Sequence, residues 1–168
     1  MAHPLLTFPN PVNEKAARTV ATLVAAFAVL VLATGWQWLL PVMAVVFLLR
    51  VLAGPRLSPF GLLATKVVAP RLGEQVLVPG PPKRFAQAVG LLFTTSASVA
   101  GPVLGRQDVA AGLLAVLLVF AFLEAAANFC AGCWVFARLM RLGLIPEETC
   151  EACNDIRLRR PAGQPAPA

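Results

Sequence analysis

Charge is scarce in this chain. Its 14 Lys and Arg and 8 Asp and Glu make up 13 % of 168 residues; tyrosine is absent and His3 is the lone histidine. A soluble domain carries about a quarter charged residues, so an ordinary soluble globular class is excluded. With one histidine, placed in a proline-rich lead-in, no Ser/His/Asp set can form. There is also no phosphate-binding glycine loop and no HExxH motif. The familiar hydrolase and nucleotide chemistries fall away with them. No repeat of fixed period is present. No cleavable leader is expected, because the first apolar run begins near residue 16, is too long for a signal core and is followed at once by another.

What is present is apolar and comes in blocks, 58 % of the chain being hydrophobic. A run of roughly 18 or more apolar residues crosses a bilayer. Stretches at about 16–34, 36–53, 85–105 and 109–137 meet or approach that length. The expected fold class is all-α: a multi-pass membrane protein with four transmembrane helices in a domain covering 1–141. A cytosolic Cys-containing tail follows at 142–160, and 161–168, "PAGQPAPA", is disordered by composition. The last span is read as one long helix continuing to about residue 141 and stopped by Gly143 and Pro146.

Local signals support these boundaries. Asn10 before Pro11, or Asn13, suits the cap of the first span. Gly35 breaks the chain between spans one and two, and Trp36 and Trp38 suit the interfacial aromatic belt. Arg50 stands near enough to the end of span two to snorkel to head groups. "SPFGLLATKVVAPRLG" reads as a helix at about 58–72 lying on the membrane surface, Lys66 and Arg71 towards anionic lipid. Thr94, Thr95, Ser96 and Ser98 in span three suit close helix approach and interhelical hydrogen bonds, with a polar conduit as the sharper alternative. Asp108 suits the cap of span four.

If both termini are cytosolic, every Lys and Arg except Arg106 falls on the inner side. Such a bias sets orientation and predicts a bacterial cytoplasmic (inner) membrane location. The net charge of +6 then belongs to topology and lipid head groups. No nucleic-acid partner is implied.

Four cysteines fall at or near that inner face in the pattern C-x2-C-x16-C-x2-C: Cys130, Cys133, Cys150 and Cys153. A reducing compartment disfavours permanent disulfides. The spacing suits a closed four-cysteine zinc site, which is structural. Zn is the one cofactor the sequence suggests. The same residues suit thiol exchange, since cysteines at i and i+3 share a helix face near disulfide reach. Cys130, read as mid-helix, gains nothing from a helix N-terminus; Cys133 and Cys150 read as the better nucleophiles. Packing alone accounts poorly for the second pair. Glu124 falls near mid-membrane, where a carboxylate is costly and faces the bundle interior. Asn128, one turn on, shares its face, and Asn128 or the hydroxyls of span three are its expected hydrogen-bond partners. Cys130 is about 240° around the helix from Glu124, so coupling between them needs another helix or water.

"RVLAGPRLSPFG" (50–61), "PKRFAQAVG" (82–90) and "FLEAAANFCAGCW" (122–134), in that order, resemble the bacterial membrane proteins grouped as domain of unknown function 4395. The resemblance covers about 13–140. It places the family's Cys-x-Gly-Cys hallmark on Cys130, Gly132 and Cys133. It implies thioredoxin-like or sulfurtransferase proteins as partners beside the lipid bilayer, and so favours thiol or sulfur chemistry. Cys150 and Cys153 resemble the tail pair of actinobacterial members, outside the shorter family pattern. The leading expectation is a thiol-disulfide or sulfur-handling protein. The alternative is a structural zinc site in a membrane scaffold or assembly subunit without catalysis. Substrate, partner identity and oligomeric state are not legible.

Overall fold

The computed structural model describes residues 8–146. Among them, helix dominates. α1 (Glu14–Thr34) starts at Asn13, whose side chain accepts a hydrogen bond from Lys15 N at 3.0 Å, and stops at Gly35 in the left-handed region at φ 70°. Its buried stripe, Ala16, Val20, Val24, Ala28 and Val31, follows the three-to-four spacing of one helix face. α2 (Leu39–Ala53) returns and ends at Gly54, also at positive φ. α4 (Gly80–Ser98) and α5 (Gln107–Ala127) form the second antiparallel pair, and α6 (Ala131–Arg141) follows α5. The core between them gathers Leu40, Met43, Phe47, Ala97, Leu114 and Leu117.

Three helical runs are long and apolar enough to cross a membrane: Glu14–Thr34, Leu39–Leu72 and Gln107–Ala127. Val29, Leu30, Val45, Leu92, Val119 and Phe122 are exposed on the outer faces. An apolar exterior of this kind needs lipid, and the protein is a helical membrane protein.

Several expectations are corrected. The connector is helical over the expected stretch, but irregular and packed on the bundle. It runs as α3 (Pro59–Leu63), a π-type turn Ala64–Val68 and a 3₁₀ turn Ala69–Leu72. Ala64 and Ala69 join the core against α1, and the Phe60 ring meets Phe27 edge-on at 6.1 Å. Two of the α4 hydroxyls turn to their own helix, Thr94 donating to Gly90 O and Ser98 to Thr94 O. Asp108 does not cap α5; it pairs with Arg106 at 3.2 Å on the exposed turn. A two-residue ladder, β1 (Val12–Asn13) against β2 (Leu77–Val78), has no expectation behind it; Val12 faces Val78 and Asn13 faces Leu77. It ties the start of α1 to the chain entering α4.

The largest correction concerns the last helix. It is not continuous from 109 to 141. α5 ends at Asn128, in the left-handed region at φ 55°, and α6 starts afresh after Cys130. Asparagine tolerates this conformation where bulkier residues do not.

Candidate functional site

One end of the bundle collects the beginnings of α1 and α4 and the ends of α2 and α5. The last carbonyls of a helix lack intrahelical partners and carry partial negative charge. Here cations from other helices meet them. The Arg18 guanidinium donates to Ala125 O at 2.9 and 3.2 Å, Arg84 Nε to Val51 O at 3.0 Å, and Lys15 Nζ to Leu72 O at 2.6 Å. Asn128 Nδ2 donates to Glu14 Oε1. Asn128 is therefore occupied by α1, not by Glu124.

Glu124 instead pairs with Lys83 of α4 at 2.7 Å, both side chains largely buried. Arg50 does not snorkel outward. It is buried, its guanidinium 5.6 Å from the Phe47 ring centre, and the Glu124 carboxylate acts on it electrostatically. Gln87, one turn beyond Lys83, is buried as well. Lys83, Arg50 and Gln87 are site residues that sequence reasoning missed. Their basic character had an immediate account in topology, and the only other signal was the Lys83/Gln87 spacing along one helix face.

Beside this cluster sits the cysteine pair. Cys130 has extended backbone (φ −91°, ψ 101°) and is the N-cap of α6, its Sγ accepting from Cys133 N at 3.3 Å. The expectation of a mid-helix Cys130 is thus overturned. The Cys133 thiol donates to the Cys130 sulfur and holds its pKa below the ordinary thiol value. Lys83 and the Cys133 N–H act the same way, against burial and Glu124. The same hydrogen bond, then burial, pushes Cys133 far up. The electrostatic coupling of Glu124 to Cys130 runs beside a residue of another helix, Lys83, which faces both.

Gly132 sets how closely α6 approaches. A Cβ there would lie 2.6 Å from both Cα and Cβ of Ala86 on α4. Below this contact the rings of Phe85 and Phe136 meet at 5.7 Å. Both cysteines open onto a cleft of about 610 Å³ between α6, β2 and the first turns of α1 and α4. Trp134, exposed, and Arg138, whose guanidinium stacks on the Trp134 ring at 4.8 Å, stand on α6 near this cleft.

The model of the family described as Domain of unknown function (DUF4395) matches residues 12–141. The chain belongs to that family. No curated protein and no solved structure matches it. The DUF4395 segment includes Cys130, Gly132 and Cys133 and ends before the second cysteine pair. Cys150 and Cys153 lie outside the described residues. Among the described residues, no group of three or more His, Cys, Asp or Glu gathers to hold a metal.

The Asn128 turn gives a direct test of the helix break. Asn128→Val should lower unfolding free energy by about 1–2 kcal/mol, the penalty of a left-handed residue with a Cβ branch. Asn128→Gly, free of that penalty, should stay closer to wild type. Denaturant titration of the detergent-solubilised protein reads the difference.

Proposed function

We propose that this DUF4395 protein is a thiol–disulfide exchange protein of the bacterial cytoplasmic membrane. In this reading Cys130 is the nucleophile and Cys133 the resolving thiol. The helix from Gly80 to Val103 is the additional span, giving four, with both termini cytosolic. The observation that carries the reading is Cys130 Sγ seated at the N-terminus of α6 and bonded by Cys133. A thiol so placed is activated by the helix end and by adjacent cations. The near-exclusive placement of Lys and Arg at the Cys130 end favours the orientation.

The reaction is an exchange with a partner disulfide, for which a thioredoxin-like protein is the proposed source. Cys130 thiolate attacks one sulfur, forming a mixed disulfide and releasing one partner thiolate. Cys133, giving up its proton, attacks Cys130 Sγ and releases the second. The chain ends as the Cys130–Cys133 disulfide, oxidised by two electrons, and the partner ends as a dithiol. The tail pair Cys150/Cys153, as a second dithiol, returns two electrons to the Cys130–Cys133 disulfide by the same exchange and ends as a disulfide itself.

Oxidised glutathione serves as the probe, with Cys150 and Cys153 replaced by Ser so that the reacting sulfurs are assigned. The parent should lose both remaining thiols to an internal disulfide. Cys133→Ser should accumulate a mixed disulfide on Cys130, and Cys130→Ser should react at least tenfold more slowly. Alkylation of Cys130 should also keep its rate to pH values below the ~8.5 of a free thiol, since its thiolate persists there. Equal reactivity of the two single variants, or no internal disulfide in the parent, would refute the assignment. A membrane-impermeant maleimide should miss both cysteines in intact cells and reach them in inverted vesicles.

A further inference from the structure

Cys130 borders two spaces. One is the open cleft. Behind it lies a half-open cavity of about 60 Å³ bounded by Arg50, Gln87, Glu124 and the Cys130–Gly132 turn. Arg50 and Gln87 also border a cavity of about 120 Å³ that reaches Lys83 and Thr65. Either space exceeds the roughly 10–15 Å³ that one water requires.

The polar lining is unbalanced in two respects. Arg50 is 7 % exposed and Lys83 8 %, while the one carboxylate among these described residues, Glu124, is already held by Lys83 at 2.7 Å. Gln87 is 8 % exposed and its Oε1 is buried with no donor. A buried cation whose one carboxylate is already paired with a second cation, and a buried acceptor without a donor, both carry desolvation penalties. Cys130 as thiolate supplies a second negative charge. As a thiol or disulfide it does not. An anion that retains one proton meets both demands, with its charge beside Arg50 and its proton donated to Gln87 Oε1.

We infer that Arg50 and Gln87 form a binding site next to Cys130 for a small singly protonated anion, the chemistry shared by bicarbonate and hydrosulfide, and that it fills when Cys130 carries no charge. The thiol-exchange reading enters only in when the site fills; occupancy itself needs no exchange activity.

The test uses the full chain in detergent with Cys130→Ser, which is uncharged throughout the working pH range. Bicarbonate or hydrosulfide should raise its melting temperature saturably, and formate, which has charge but no proton to donate, should do so at least tenfold less potently. The salt effective at lower concentration identifies the source. Gln87→Glu, which fixes a carboxylate beside Arg50, should abolish the rise. Gln87→Met should erase the preference over formate. Identical melting of Cys130→Ser in all three salts, or an undiminished rise in Gln87→Glu, overturns the inference. If the rise is absent while Cys133→Ser still traps glutathione, the anion site alone fails. If trapping fails while the rise persists, the exchange reading alone fails.

Discussion

Lys83→Met should destabilise the protein by about 3–5 kcal/mol, because it strands the Glu124 carboxylate in a buried site. The two groups stand 2.7 Å apart with side chains 9 % and 15 % exposed. Little solvent is available to take over from the lost ammonium. Removing both charges is a different experiment. Lys83→Met combined with Glu124→Leu should recover most of the loss, since a buried ion pair replaced by apolar side chains of similar volume is often neutral or better. Unfolding of the detergent-solubilised variants by denaturant separates the two outcomes. A single variant as stable as the wild type would mean that Glu124 finds another counter-charge, and Arg50 is the candidate. Cys130 provides a second readout. Lys83 holds its pKa down while Glu124 pushes it up more strongly, so Lys83→Met alone should alkylate more slowly at neutral pH and the double variant should not.

Gly132→Ala should be the most damaging single methyl in the site. Its Cβ would fall 2.6 Å from the Cα and Cβ of Ala86, and a backbone atom cannot rotate away. Overpacking of this kind costs about 1–3 kcal/mol. The strain falls on the first turn of α6, where Cys133 N–H and Cys130 Sγ meet at 3.3 Å. Exchange with oxidised glutathione should slow by roughly tenfold for each 1.4 kcal/mol the displaced geometry adds to the barrier. Ala86→Gly should rescue only in part, because the Ala86 Cα stands as close as its Cβ. Gly112→Ala, whose added Cβ meets nothing within 4 Å, is the matched control and should leave exchange unchanged. A Gly132→Ala protein with wild-type exchange kinetics would show that α6 can slide on α4 without disturbing the thiols.

Much of the architecture is legible from residue order, and the reason is physical. Apolar runs of bilayer length, a left-handed Gly35 and an N-cap at Asn13 are local properties that neighbouring residues cannot conceal. The Cys-x-Gly-Cys phrase likewise marks the place where chemistry is to be sought. The break at Asn128 is harder to see. Neither glycine nor proline marks it, and the apolar pattern from 109 to 137 runs across it undisturbed. A single asparagine in left-handed conformation changes the helix direction without changing composition, and that hidden turn moves Cys130 from the middle of a helix to its start. The partners of Lys83, Arg50 and Asn128 are hidden for another reason. Lys83 meets Glu124 across 41 positions and Asn128 meets Glu14 across 114. Pairings that distant depend on how the helices are arranged, and Glu124 with Asn128 four residues on the same helix is the simpler expectation.

The crossed cations at the base of the bundle have a mechanical consequence. Arg18 belongs to α1 but closes the end of α5; Arg84 belongs to α4 but closes the end of α2; Lys15 closes the turn at Leu72. Each helix terminus is stitched by its neighbour's side chain. Unwinding any one of them releases a carbonyl on one helix and a cation on another. Fraying, ordinarily a private event at each helix tip, becomes here a joint one, and the floor under the cysteine pair opens as a unit or stays shut.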